Sequence, residues 1–222
     1  MKLKTFLTAV NLLAFAALPL CAADGIKLVS TPGTSKIRIE GTSSYHDWQV
    51  ESTTVGGNAE VGPEFPLKPG AELKPGKVEA KVTVNIPIRT LKSIEKDGKP
   101  YSDRMDNRMY EGLKEADTKR ISYKLTSLTL KEAPKAAGAP YQFESTGELC
   151  VAGVTNKIAM PVMVTVLEEN KVKFAGTVAV KMTDFKIEPP ALTVLGIGIT
   201  TGDEVKLFFE WVATKKTAPV AK

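Results

Sequence analysis

Residues able to do chemistry are sparse in this chain. It has one histidine in 222 residues, set in Tyr45-His46-Asp47-Trp48. A nucleophilic triad needs a base within reach of a serine or cysteine, and an acid that orients the base. Neighbours on a strand point to opposite faces, so Asp47 cannot orient His46 merely by being adjacent. The expected role is a histidine hydrogen-bonded at a strand bend. Zinc and copper sites need several His and Cys ligands, and the chain offers only Cys21 and Cys150 beside that one histidine. Cys150 falls where a strand meets its turn, as a small buried or half-buried residue. The carboxylate pairs Glu168-Glu169 and Asp203-Glu204 fall in turns, where solvation is the default. Gly196-Ile197-Gly198 is followed by no P-loop lysine and no helix start, and predicts a flexible loop before the last strand. The expectation is no enzyme, no metal and no cofactor.

The elements that carry these residues are set by apolar alternation. Val78, Ala80, Val82, Val84 and Ile86 alternate with Glu79, Lys81, Thr83 and Asn85, a half-buried strand with one wet face. Ile158 to Val166 repeat the pattern, including Met160, Val162 and Val164. So do Val172, Phe174, Gly176, Val178, Val180 and Met182, with a hairpin turn expected at Glu168–Lys171 between the two. Val205, Leu207, Phe209, Trp211 and Ala213 form a last strand. The parity flip from Ile37 and Ile39 to Trp48 and Val50 predicts a bulge or bend within Ser43–Asp47. Ile121, Tyr123 and Leu125 lose phase in the same way before Leu128 and Leu130. Phe143, Gly147 and Leu149 make a further strand, with a turn at 152–156. Residues 53–62 form a short edge strand or a turn, and 133–140 a surface hairpin loop.

One stretch breaks the pattern. Tyr101, Met105, Met109 and Leu113 recur every fourth residue, the spacing of one helix face, with Ser102 or Asp103 as the cap. Many strands, one helix and no strand–helix alternation predict an all-β fold, an antiparallel barrel of about eight strands with an inserted helix. A barrel of that size has room inside for side chains or for one small ligand. Alternation does not say which, and taken alone it favours Met105, Met109 and Leu113 plugging the lumen as core.

The N-terminus reads as an export signal over 1–23: a basic start at Lys2 and Lys4, an apolar run from Phe6 to Leu20, and Cys21-Ala22-Ala23 at the cut. The alternatives are a retained membrane anchor and acylation of Cys21. After cleavage one cysteine remains, so no internal disulfide is expected and the core must hold the fold. The rest, 24–222, is the length of one domain. The formal charge of +5 loses two with the signal, and the lysines are scattered among acids. That excludes the basic stripe with interleaved aromatics that nucleic-acid binding needs, and is compatible with mild attraction to anionic membrane surfaces.

Several stretches together resemble the YceI-like family of periplasmic polyisoprenoid-binding proteins. Gly41-Thr42-Ser43-Ser44-Tyr45-His46-Asp47-Trp48 is similar to the glycine-serine-His-Asp-Trp opening of one branch. Met109-Tyr110-Glu111-Gly112-Leu113-Lys114 followed by Thr118-Lys119-Arg120-Ile121-Ser122-Tyr123 resembles the family's helix end and next strand. Gly147 to Asn156 resembles its G-x-L-x-I-x-G-V-T-K turn, and Lys181 to Ile187 its late aspartate-phenylalanine-glycine-isoleucine segment. Thr118 and Lys119 replace a usual tyrosine-proline pair, and Lys186 a usual glycine. The resemblance implies a periplasmic, lipocalin-like barrel with a long pocket for an apolar lipid, an isoprenoid chain or a quinone-like tail. Candidate pocket residues on strands are Trp48, Val82, Val84, Ile86, Tyr123, Val162, Val164, Phe174 and Val178. Tyr101, Met105, Met109 and Leu113 join them from the helix, and Phe185 from the late segment. The alternatives are a structural or interaction barrel of the envelope with a filled lumen, and an envelope enzyme or redox accessory.

Overall fold

A computed structural model describes residues 25–136, 138–194 and 197–216; the expected signal and its cleavage site lie outside the described residues. The chain opens with β1 (Ile26–Ser30), β2 (Lys36–Ser43), β3 (Trp48–Ser52) and β4 (Gly56–Val61). β5 (Gly76–Val78), β6 (Ala80–Pro87) and β7 (Lys92–Ile94) follow, then helices α1 (Asp103–Gly112) and α2 (Glu115–Thr118). The second half is β8 (Arg120–Glu132), β9 (Tyr141–Val151), β10 (Val154–Glu168), β11 (Lys171–Lys181), β12 (Ala191–Val194) and β13 (Ile197–Lys215).

Eight of these strands close an antiparallel barrel in the order β1-β4-β6-β8-β9-β10-β11-β13, with β13 returning to β1. Closure removes the exposed edges that an open sheet would present. One long strand makes the barrel two-ended. Residues 213–215 of β13 pair with β1, whereas 205–210 pair with β2, which continues to β3 and β7. The wall is therefore sealed by β1 at one end. At the other end no ladder among the described residues joins β3 or β7 to β6, and α1 lies against β7 there.

Turn chemistry fixes the register. Val151 pairs with Val154, leaving Ala152 (φ 51°) and Gly153 (φ 80°) as a two-residue turn. Positive φ at both positions matches the twist of the flanking strands. The β10–β11 turn is at Glu169-Asn170, where Asn170 supplies the left-handed residue at φ 66°. The slip after Leu125 is a register shift between Leu125 and Ser127 against β9.

Of the bulge or bend expected within Ser43–Asp47, the structure has the bend: it joins β2 to β3, and Gly41 pairs with Trp48 across it. Other expectations need correction. Asp203 and Glu204 lie within β13 rather than in a turn. The strand containing Val78 is interrupted at Glu79, so Val78 lies on β5 and Val82 on β6. Ile197 and Gly198 belong to β13, paired with β12, rather than to a loop. The helix is shorter than the spacing implied: Tyr101 precedes it and Leu113 caps its C-terminus.

Candidate functional site

Inward-facing side chains pack into two separate clusters. The sealed end is filled by Leu28, Val61, Tyr141, Phe143, Val164 and Val172, together with Phe65 and Leu67 from the connection between β4 and β5. Phe143, Phe65, Phe174 and Trp211 stack in series, with ring centroids 6.2, 6.1 and 5.0 Å apart. Such offset aromatic contacts add to what area burial supplies. The indole N–H of Trp211 donates to Ser30 Oγ at 2.7 Å, which pins this layer to β1. The second cluster joins Ile88, Leu91, Tyr110, Val151 and Phe185 beneath α1.

Between the clusters lies a cavity of about 1360 Å³. Its walls are the alternate residues of nearly every barrel strand, from Val82, Val84 and Ile86 on β6 to Leu207, Phe209 and Trp211 on β13. Trp211 and Phe174 form its floor. Deep inside, the Tyr123 hydroxyl donates to Ser145 Oγ at 3.4 Å, and Ser145 Oγ donates to the Met160 carbonyl at 3.1 Å. Burial pushes the Tyr123 phenol up from its usual value, although its bond to Ser145 works the other way. Every buried side-chain nitrogen or oxygen among the described residues has a hydrogen-bond partner. The deep polar pair of the cavity, Tyr123 and Ser145, is likewise bonded within the protein.

Helix α1 presents two different faces. Asp106, 4% exposed, accepts from the Ser93 backbone N–H at 2.7 Å and from Ser93 Oγ at 2.8 Å, and pairs with Lys92 at 3.0 Å. Burial pushes its carboxyl up, but the Ser93 N–H, Lys92 and the Ser93 hydroxyl win, leaving it below the usual range. One turn on, the Tyr110 hydroxyl donates to the Leu91 carbonyl at 2.8 Å. These bonds fix the helix to β7, while Met105 and Met109 line the cavity. The methionines border an open space rather than plugging it.

The open end is polar and partly aromatic. His46 Nδ1–H donates to the Asp47 carbonyl at 2.7 Å, and its Nε2 accepts from the Tyr101 hydroxyl at 3.3 Å. Tyr45 beside it is 74% exposed. The imidazole is thus engaged with backbone and phenol at a rim, and Ser43 Oγ bonds only the backbone of His46, not its ring. Among the described residues no cluster of His, Cys, Asp and Glu is able to hold a metal.

The structure brings thirteen of the fourteen candidate pocket residues to this cavity. Val164 is the exception: it does not line the cavity but is fully buried below the floor, paired with Tyr141 and Phe174. Strand parity gives the correct face for Val164 but not its depth along the barrel. The sequence reading missed the floor residue Trp211, and Ile37, Ile39 and Val50 of the splayed strands. It also missed the arm of Ile187, Leu192 and Ile199 and the rim arginines Arg104 and Arg108. Alternation already marked Trp211 as inward; nothing periodic marked the arm.

The profile of the YceI-like domain matches residues 30–213. No curated protein sequence matches the chain. A crystal structure of BcnA from Burkholderia cenocepacia is 15% identical, with a TM-score of 0.58 over 83% of this chain and 99% of that one. A polyisoprenoid binding domain from Saccharophagus degradans, described as implicated in plant cell wall breakdown, is 12% identical. Its TM-score is 0.60 over 86% of this chain and 99% of its own. At these identities the two structures share the fold.

Proposed function

The chain belongs to the YceI-like domain family, and we propose that it is a periplasmic holder of a long apolar lipid, most simply an isoprenoid chain threaded into the barrel. The observation that carries this reading is the cavity itself: about 1360 Å³, walled by aliphatic and aromatic side chains and floored by Trp211 and Phe174. That exceeds the roughly 300–1,000 Å³ of ordinary small-molecule sites. A space that large and apolar suits a chain, because each buried methylene contributes about 0.8 kcal/mol without any charged anchor. The polyisoprenoid-binding description of the Saccharophagus degradans domain supports the ligand class. The signal-like start supports export into an aqueous compartment, where such a lipid needs shelter from water. The barrel works by binding and release, with no catalytic step.

Organic extraction of the envelope-purified protein, followed by mass spectrometry, tests the proposal. One long-chain apolar lipid per barrel is expected, and the delipidated protein should take up the same lipid again. A lipid-free protein that also refuses isoprenoid chains in reconstitution would sink the reading. Intact mass of the same preparation checks processing, with Asp24 expected as the first residue; an acyl group on Cys21 would contradict it.

A further inference from the structure

We propose that the open end of the barrel docks on the surface of a lipid bilayer, with Tyr45, Tyr101 and the paired strands β12 and β13 as the contact. This rests on the lipid-holding reading and adds to it the surface across which the chain is exchanged. Two of the large side chains left in solvent, Tyr45 at 74% and Tyr101 at 41% exposure, meet at this end. They join through the His46 ring, whose centroid is 5.1 Å from Tyr45 and 5.8 Å from Tyr101. Ser44 ties this aromatic row to β13. Its backbone N–H donates to the Thr200 carbonyl at 2.9 Å, and the Thr200 N–H donates to Ser44 Oγ at 3.0 Å. Phenols and strands therefore form one continuous lip.

That lip is uncharged, whereas the rest of the surface is not. A quarter of the chain is Asp, Glu, Lys or Arg, yet residues 189–193 and 198–202 include none of them. Leu192 pairs with Ile199 and both line the cavity, while Ala191, Thr193, Gly198 and Thr200 are exposed. The outer wall of the barrel instead carries ion pairs such as Lys131–Glu144 and Lys173–Glu210. Around the lip, the cavity rim holds Lys96, Arg104, Arg108 and Lys181 against Asp47 and Glu95, and Lys99 is already paired with Asp97. The rim is net positive, which complements an anionic bilayer surface. Tyrosine settles where its ring meets an apolar layer and its hydroxyl meets water, at head-group level.

The cargo gives the contact its purpose. A chain released through water is slowed about fourfold for every methylene it exposes, so a long chain leaves an isolated barrel very slowly. With the lip seated among head groups, the chain passes from cavity to acyl layer without meeting water. Phe65 and Leu67 fill the opposite end, which leaves the mouth as the route.

The test uses envelope-purified protein, delipidated and reloaded with geranylgeraniol, and vesicles of phosphatidylcholine with and without phosphatidylglycerol. Sedimentation should carry the protein down with the anionic vesicles, and less of it as salt rises. Tyr45→Ser, which removes apolar contact, and Ala191→Asp, which puts a charge on the lip, should each weaken that binding about tenfold. Ala191→Lys should weaken it less than Ala191→Asp. Ala191 does not line the cavity, so Ala191→Asp should hold geranylgeraniol as before. The fluorescence of Trp48 and Trp211, which do line it, reports that binding. Transfer of geranylgeraniol from protein to vesicle should speed up in proportion to vesicle concentration, because contact is then the slow step. Absence of sedimentation, sedimentation unchanged in both Tyr45→Ser and Ala191→Asp, or transfer that ignores vesicle concentration overturns the proposal. A dimer that Tyr45→Ser converts to monomer puts a second copy on the lip and overturns it too. Protein that sediments through this lip yet holds no geranylgeraniol keeps the bilayer contact and loses the lipid-holding reading.

Discussion

Tyr123 crosses the backbone at Gly147, where any β-carbon would run into its ring, and Trp48 covers Gly41 in the same way. In both places the missing side chain lets an aromatic lie back into the wall rather than stand in the lumen. Gly147→Ala should therefore push Tyr123 inward, break its bond to Ser145 and narrow the cavity. The expected result is less lipid per protein by mass spectrometry, with a loss of about 1–3 kcal/mol from overpacking. Unchanged stability and unchanged lipid would show that the ring has other room. His46 sits differently. Its bonds are at an exposed rim, so His46→Ala should change stability by no more than about 0.5 kcal/mol, perturbing Tyr45 and Tyr101 locally. A turnover that disappears in well-folded His46→Ala protein would contradict the non-catalytic reading. Lys186 is a third case. It adopts φ 56°, which explains physically why glycine suits that position, since a β-carbon in the left-handed region costs about 1–2 kcal/mol. Glycine's greater freedom in the unfolded chain takes back part of that gain. Lys186→Gly should raise stability by about 0.5–1 kcal/mol in chemical denaturation.

At the scale of elements, α1 is the piece whose position the barrel does not dictate, and Asp106 fixes it. Removing that carboxylate in Asp106→Ala leaves the Ser93 N–H without its acceptor in a buried setting, at a cost of about 1–3 kcal/mol. The folded state holds the Asp106 carboxyl below its unfolded value. Its contribution is therefore complete above the ordinary aspartate range, near pH 3.9, and fades as pH falls through the lower folded value. Denaturation across acid pH should show that loss in the unmutated protein and a flatter profile in Asp106→Ala. The helix itself was legible from Met105 and Met109, as were the barrel strands from period two. Tyr101 matched the helical spacing, yet it lies ahead of α1 with its backbone N–H donating to the Ser93 carbonyl. At Ser43–Asp47 the parity flip left a bulge and a bend both open, because it marks a tight connection and a bulge alike; the bend joins β2 to β3. Phe65 and Leu67, which plug the sealed end, carry no period at all, and only the tertiary fold brings them under Phe143 and Phe174.

The whole molecule is a barrel with one packed end and one hollow end, and the boundary between them is the Phe174–Trp211 layer. Two valines on neighbouring strands lie on opposite sides of that boundary. Val164 on β10 is fully buried against Tyr141 and Phe174, whereas Val178 on β11 is half-buried and lines the cavity. Both face inward, so local sequence alone would treat them alike. The fold separates them. Val164→Trp adds bulk where no space exists, and should destabilise by about 1–3 kcal/mol or more through forced rotamers and backbone shifts. Val178→Trp enters open volume, so delipidated protein should melt close to the unmutated chain. The indole would then occupy the path of the lipid, and extraction should recover little or none. Thermal melts of the delipidated proteins, paired with mass spectrometry of what each carries from the cell, distinguish the outcomes. Equal destabilisation at both positions would mean that the cavity collapses into core in solution, and the holder function would fall with it. A stable Val178→Trp protein that still carries its full lipid would place the chain elsewhere in the barrel. Only the pairing of a stable fold with an excluded ligand fits a lumen kept open for a guest.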